Sequence, residues 1–192
     1  AVLVPNCFSG GEAVGASSTR AFLLQLSAEI DAYTQTYEQA MRLMERQELF
    51  DITREPSRVQ EAYGRSEFGK QLLLARRLVE QEVPFVEIQH GGWDFHHNNF
   101  EFHLHYVADF DRPFALFVED LAQRGHLERT LLIVMTEFGR TPRINTGYGR
   151  DHYSRAWSIA LGGCGIHHGA VIGKTDAKGV EVTDRQVDHR HL

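Results

Sequence analysis

The sequence predicts an α/β fold in which a mostly parallel central sheet is flanked by helices. Three observations carry this expectation. Helical and strand-like periodicities alternate along the chain in the order helix, helix, strand, helix, strand. The segment Thr130-Leu131-Leu132-Ile133-Val134-Met135 is a short apolar run between polar stretches, the pattern of a buried parallel strand. The 192 residues, 42% hydrophobic and 24% charged, suffice for a real core in one domain spanning 1–192. Right-handed crossovers would then place the strand carboxyl ends along one edge, where open α/β sheets bind ligands.

The elements follow in order. Residues 1–18 are rich in Gly and Ser and read as loop. Ser17, Ser18 or Thr19 is placed to cap a helix over 20–49. Its apolar positions Phe22, Leu23, Leu26, Ile30, Tyr33, Tyr37, Met41 and Met44 keep helical spacing and read as core. A break falls at 51–56. Ser66 then caps a second helix over 67–82, which buries Leu72, Leu73, Ala75, Leu78 and Val79. After Pro84 the period changes, and 85–89 reads as a strand ending in the turn His90-Gly91-Gly92. A third helix covers 100–124, with Gly125 placed to end it. The apolar strand at 130–135 is followed by a polar loop, a strand at 157–161, a Gly-rich turn and a short strand near Val171-Ile172.

Composition excludes several functions. Two cysteines, Cys7 and Cys164, make at most one bridge, which rules out a disulfide scaffold; Cys164 reads as a small buried residue. The net charge of −6 argues against a nucleic-acid binder. No apolar run approaches the roughly 20 residues of a membrane helix. No basic segment precedes an apolar one at the start, so no signal peptide is visible and localisation is not read from this end. Histidine is the one surplus: of eleven, His90, His96, His97, His103 and His105 fall within sixteen residues.

Three polar loops at strand–loop junctions carry the candidate chemistry. In the first, Asp94 and His96 lie two apart, a spacing that in extended chain points both side chains one way. A carboxylate and an imidazole so placed suit Zn²⁺ or Mn²⁺. The alternative is that Asp94 caps a turn and the histidines are solvated. In the second, Glu137 offers a ligand or general base, and Arg140 and Arg143 offer forked donors for phosphate or sulfate oxygens. Their alternative role is a salt bridge to a neighbouring carboxylate. In the third, Asp151 and His152 supply a ligand and an orienting partner, two ligands, or only a polar turn. Trp93 reads as packing, His103 and His105 as surface or satisfied core, and His167, His168, His189 and His191 as local polarity.

Four motifs occur in order: Gly91-Gly92-Trp93-Asp94-x-His96-x-Asn98-Asn99-Phe100; Glu137-Phe138-Gly139-Arg140-Thr141-Pro142; Gly149-Arg150-Asp151-His152; and Gly162-Gly163-x-Gly165 with Val171-Ile172-Gly173-x-Thr175-Asp176. Together they resemble the domain-of-unknown-function 1501 family, grouped as sulfatase-like within the alkaline phosphatase superfamily. The resemblance implies an alkaline-phosphatase/sulfatase-like fold and metal-dependent hydrolysis of phosphate or sulfate esters, including sugar esters. It implies a divalent ion (zinc, manganese or calcium) held by Asp94, His96, Glu137 and His152. Arg140, Arg143 and Asp151 would assist catalysis. Two departures accompany it. Glu137-Phe138 stands where the superfamily has Asp-His, and the early nucleophile-bearing segment has no counterpart in this sequence. The chain therefore reads as an incomplete, interior portion of a larger domain, and the resemblance allows a soluble, periplasmic protein where a longer precursor carries a signal. A non-catalytic metal- or ligand-binding module, and a structural domain in which Arg140 and Arg143 pair with Glu137 and Asp151, are the competing readings.

Overall fold

The computed structural model describes residues 2–5 and 18–188. A first strand, β1 (Val2–Pro5), leads to the long helix α1 (Ser18–Glu45). Ser17, one of the three candidate caps, Cys7, His189, His191 and most of the stretch read as loop lie outside the described residues. Val2–Pro5, read as loop, is a strand instead.

Over its described side chains the apolar stripe of α1 is not core; those of Phe22 and Leu23 lie outside the described residues. Leu26, Ile30, Tyr33, Tyr37, Met41 and Met44 are 42–72% exposed. Helical spacing makes one face apolar but does not supply anything to cover it. The main contact of α1 is with the single 3-10 turn that follows at Gln47–Leu49, and Arg46 beyond its end donates to Gln81 at 2.6 Å.

The expected break contains a second 3-10 turn at Ile52–Arg54, opened by the Asp51 carboxylate accepting from the Thr53 amide. It leads into a helix that the periodicity does not reveal, α2 (Ser57–Tyr63). Seven residues are too few to display an amphipathic repeat. Helix α3 (Glu67–Glu80) starts where Ser66 predicts, the hydroxyl accepting from the Gly69 amide at 3.2 Å. It buries Leu72, Leu73, Ala75 and Val79 against Tyr63, Phe117, Leu121, Val86, Ile88 and Leu132. Each such side chain contributes about 1.5–3 kcal/mol on leaving water.

After β2 (Val86–Glu87), helix α4 (Asn99–Gln123) packs on α3 and stops at Gly125, whose φ of +71° turns the chain; the His126 amide then reaches the Leu121 carbonyl at 2.8 Å. Between α2, α3 and α4 lies a charge network. Arg76, 2% exposed, meets Glu55 at 2.6 Å, Glu80 at 2.8 Å and Asp120 at 3.3 Å. Arg77 and Arg124 complete the balance of three guanidiniums and three carboxylates. Burial and then the Asp120 carboxylate, which accepts from its hydroxyl at 3.0 Å, push the Tyr63 phenol up.

The predicted parallel sheet is not found. The remaining strands are β3 (Thr130–Val134), β4 (Gly139–Arg140), β5 (His152–Tyr153), β6 (Ala160–Gly162), β7 (Lys174–Thr175) and β8 (Val182–Asp184). The main sheet has the order β2-β1-β3-β6, and every neighbouring pair is antiparallel. β4 with β5 and β7 with β8 form two further antiparallel pairs. The chain is thus not an alkaline-phosphatase-like α/β fold. The reason is topological. Helix α4 does return the chain so that β2 and β3 run the same way, but β1 lies between them and opposes both. From β3 to β6 the chain passes through loop and the β4–β5 pair, with no crossover helix, so β6 comes back antiparallel. Val171 and Ile172, expected as strand, are 79% and 66% exposed and precede β7. Cys164, read as a small buried residue, is half-buried and sits at a φ of +50° in the Gly-rich turn. Among the described residues, no helix is long and apolar enough to cross a membrane.

Candidate metal centre

Two loops form the site, and backbone hydrogen bonds stitch them together. The amides of Asn98 and Asn99 donate to the carbonyls of Gly147 and Tyr148 at 3.0 Å each, and the Arg150 amide donates to Phe95 at 3.3 Å. Gly149 is needed at this seam. A Cβ there would lie 1.9 Å from the His96 carbonyl oxygen. A second tie is the β4–β5 pair, which sets Arg140 opposite His152.

Within the first loop, inward and outward residues alternate. Phe95 is buried, stacking on Phe102 and meeting Tyr106 edge-on; Trp93 meets Tyr106 and His103 edge-on and donates to His90 Nδ1. His90 stacks on Phe68 and pairs with Asp109 at 3.1 Å, and His103 contacts the Asn99 carbonyl, so both are satisfied structural histidines. Asp94 and His96, the intervening residues, project to the other side.

There they meet His152. His152 Nε2 is 2.8 Å from Asp94 Oδ1, His96 Nε2 is 3.1 Å from the same oxygen, and the two Nε2 atoms are 3.2 Å apart. Ligand atoms at about 2.1 Å from one ion lie about 3.0 Å apart across an octahedral edge and about 3.4 Å across a tetrahedral one. One carboxylate and two imidazoles at these separations therefore fit one face of a divalent coordination sphere. The outer nitrogen of His96 is also held, with Nδ1 3.1 Å from Asp151 Oδ1. A carboxylate behind a ligating imidazole fixes which nitrogen faces the ion.

Arg140 borders the triangle. Its guanidinium donates to Asp94 Oδ1 at 2.6 Å and to the carbonyls of Trp93 and Arg150. Hydrogen bonds from His152 and then Arg140 hold the Asp94 carboxyl down at about 2. Those from His96 and then Asn145 hold the Asp151 carboxyl below the usual range. Both carboxylates are thus ionised and ready to face a cation at neutral pH.

The structure brings together Asp94, His96, His152, Arg140 and Asp151. Among the described residues, no ion pair or hydrogen bond joins the Glu137 or Arg143 side chain to this group, and both are exposed. His97 lies outside the triangle, against Gly147. Two residues were not singled out from the sequence. Asn145 hydrogen-bonds Asp151 and the His96 carbonyl, and Arg150 Nη1 braces the carbonyls of Thr141 and Pro142 at 2.6 and 2.7 Å. The legible signal was Asn145-x-Gly147-x-Gly149, an Asx-type turn pattern.

Fold and site define a helix-covered antiparallel sheet bearing an Asp-His-His cluster on its loops. A family model described as protein of unknown function (DUF1501) matches residues 17–192, and the chain belongs to that family. No curated protein and no solved structure matches it.

Proposed function

We propose that the chain hydrolyses phosphate or sulfate esters, using a divalent ion held by Asp94, His96 and His152. The observation behind this reading is the triangle of three ligand atoms with edges of 2.8–3.2 Å. Three protein ligands leave positions open, as in catalytic rather than structural sites. When bound, such an ion supplies Lewis-acid polarisation and activates water. The chain's own residues do the rest. Asp94 contributes the negative charge, and Asp151 orients His96. Arg140, at the rim, faces the charge that develops on the ester's non-bridging oxygens. The ester chemistry implied by the family resemblance thus stands on the site and not on the fold.

A metal- or ligand-binding module without turnover is the second reading. It is supported by Thr136 and Thr141, the hydroxyls beside and within the motif at 137–142, both of which donate to backbone carbonyls. The deciding experiment assays the chelator-stripped chain on p-nitrophenyl phosphate and p-nitrophenyl sulfate with Zn²⁺, Mn²⁺ or Ca²⁺ restored. Hydrolysis that appears with metal and vanishes in His152→Ala supports the hydrolase. Bound metal with neither ester turned over leaves the binding module.

A further inference from the structure

We infer that Asn145 is the positioning residue of this centre: its side-chain amide locks the Asp151 carboxylate onto His96 and so sets which imidazole nitrogen faces the ion. The inference rests on the metal-site reading above and adds the residue that assembles it.

An asparagine side chain offers two donors and two acceptor lone pairs, and all four are used here. Oδ1 accepts from the amides of Gly147 at 2.9 Å and Gly149 at 3.0 Å, closing the loop that lies against His96. Nδ2 donates to the His96 carbonyl at 3.0 Å and to Asp151 Oδ1 at 3.1 Å. That same oxygen is the one 3.1 Å from His96 Nδ1. One amide group therefore grips His96 twice, at its backbone directly and at its ring through Asp151. A carboxylate already held on one side cannot turn away from the imidazole. His96 then carries its proton on Nδ1 and presents the Nε2 lone pair toward Asp94 and His152.

The two ends of the side chain have separable roles, which makes the inference testable. Asn145→Asp keeps an oxygen for Gly147 and Gly149. It replaces the Nδ2 donor with an oxygen facing the His96 carbonyl and the Asp151 carboxylate. If Asn145 merely built the loop, this substitution would leave metal binding near wild type. If it positions Asp151, the affinity for Zn²⁺ or Mn²⁺ falls about 10- to 100-fold, the usual effect of removing an outer partner of a metal ligand. Adding Asp151→Asn in the same chain brings no recovery, because the one atom of residue 151 that faces both position 145 and His96 Nδ1 cannot donate to the first and accept from the second.

The measurement is competition of the purified chain against a chromophoric chelator, paired with ¹⁵N NMR of the His96 ring in metal-free protein at pH 7.5. The expected result is weaker binding by Asn145→Asp, no recovery in the double variant, and an Nδ1–H tautomer that is lost in the single variant. Unchanged affinity and tautomer in Asn145→Asp overturn the inference. Should the wild-type chain bind neither metal, the metal-site reading fails, and the NMR alone decides: a tautomer that responds to Asn145→Asp upholds the positioning role, and one that does not refutes it. If Asn145→Asp does not fold, Asn145→Ser, which keeps a short donor and acceptor, replaces it in the same measurements; intermediate affinity is expected, and wild-type affinity is contradictory.

Discussion

The Arg140 guanidinium sits 2.6 Å from Asp94 Oδ1, the same oxygen that His152 Nε2 approaches at 2.8 Å. One carboxylate oxygen thus serves as candidate metal ligand and as partner of a fixed cation. A cation beside a ligand weakens the ligand's hold on a metal ion but favours an anion brought to that ion. Arg140→Gln is therefore expected to bind divalent metal at least as tightly as wild type while losing affinity for inorganic phosphate or sulfate by roughly tenfold or more, a loss of about 1.4 kcal/mol. Calorimetry of metal and then of anion binding checks both signs.

Gly149 is expected to tolerate no side chain. Its absent Cβ would meet the His96 carbonyl at 1.9 Å, and the neighbour there is backbone and not a flexible side chain. Gly149→Ala must push the two loops apart, which displaces His96 from Asp94 and His152. The core of α3 and α4 lies elsewhere, so helical circular dichroism should persist while metal affinity drops more than tenfold. Retained affinity would show that the seam does not set the triangle.

The Arg76 network is expected to be the most sensitive polar element of the core. Arg76→Ala takes the most buried cation away from Glu55, Glu80 and Asp120, leaving three carboxylates to Arg77 and Arg124 alone. Breaking a buried charge set in this way costs about 3–5 kcal/mol. Urea denaturation should show that loss as a lowered midpoint with little change in slope.

Alkaline pH should weaken the fold through Tyr63. Its phenol is 1% exposed, and its folded-state pKa is raised above the ordinary value of 10.0 by burial and the Asp120 carboxylate. Below that ordinary value both states hold the proton, and the stabilisation is fully present. Above it the unfolded chain releases the proton while the native one retains it, so stability falls as pH rises, by up to about 1.4 kcal/mol per pH unit. Tyr63→Phe should remove this dependence at a cost of about 1 kcal/mol at neutral pH, because Asp120 keeps Arg76 and Arg124. Equilibrium unfolding between pH 8 and 11 makes the comparison.

Local signals in the sequence were reliable where the determining contacts are themselves local. Ser66 announces α3 because its hydroxyl bonds an amide three residues on, and Gly125 ends α4 because its own φ turns the chain. Asp94 and His96 were legible through their spacing of two. Sheet direction was not legible, because it is decided by β1, four residues that pair with partners more than eighty positions away. The exposure of Ile30, Tyr33 and Tyr37 was hidden for a related reason: a repeat reports an apolar face and not its surroundings. Asn145 escaped notice because its value lies in contacts to His96 and Asp151, and only folding brings the His96 loop alongside it.

The central claim is that Asp94, His96 and His152 form one divalent-ion site. Isothermal titration of the chelator-stripped chain with Zn²⁺ and with Mn²⁺ tests it most directly, beside Asp94→Ala and His152→Ala proteins shown to be folded by circular dichroism. One ion per wild-type chain, with binding abolished in both variants, is the expected result. Wild-type protein that takes up neither ion, or variants that bind as tightly as wild type, would contradict it.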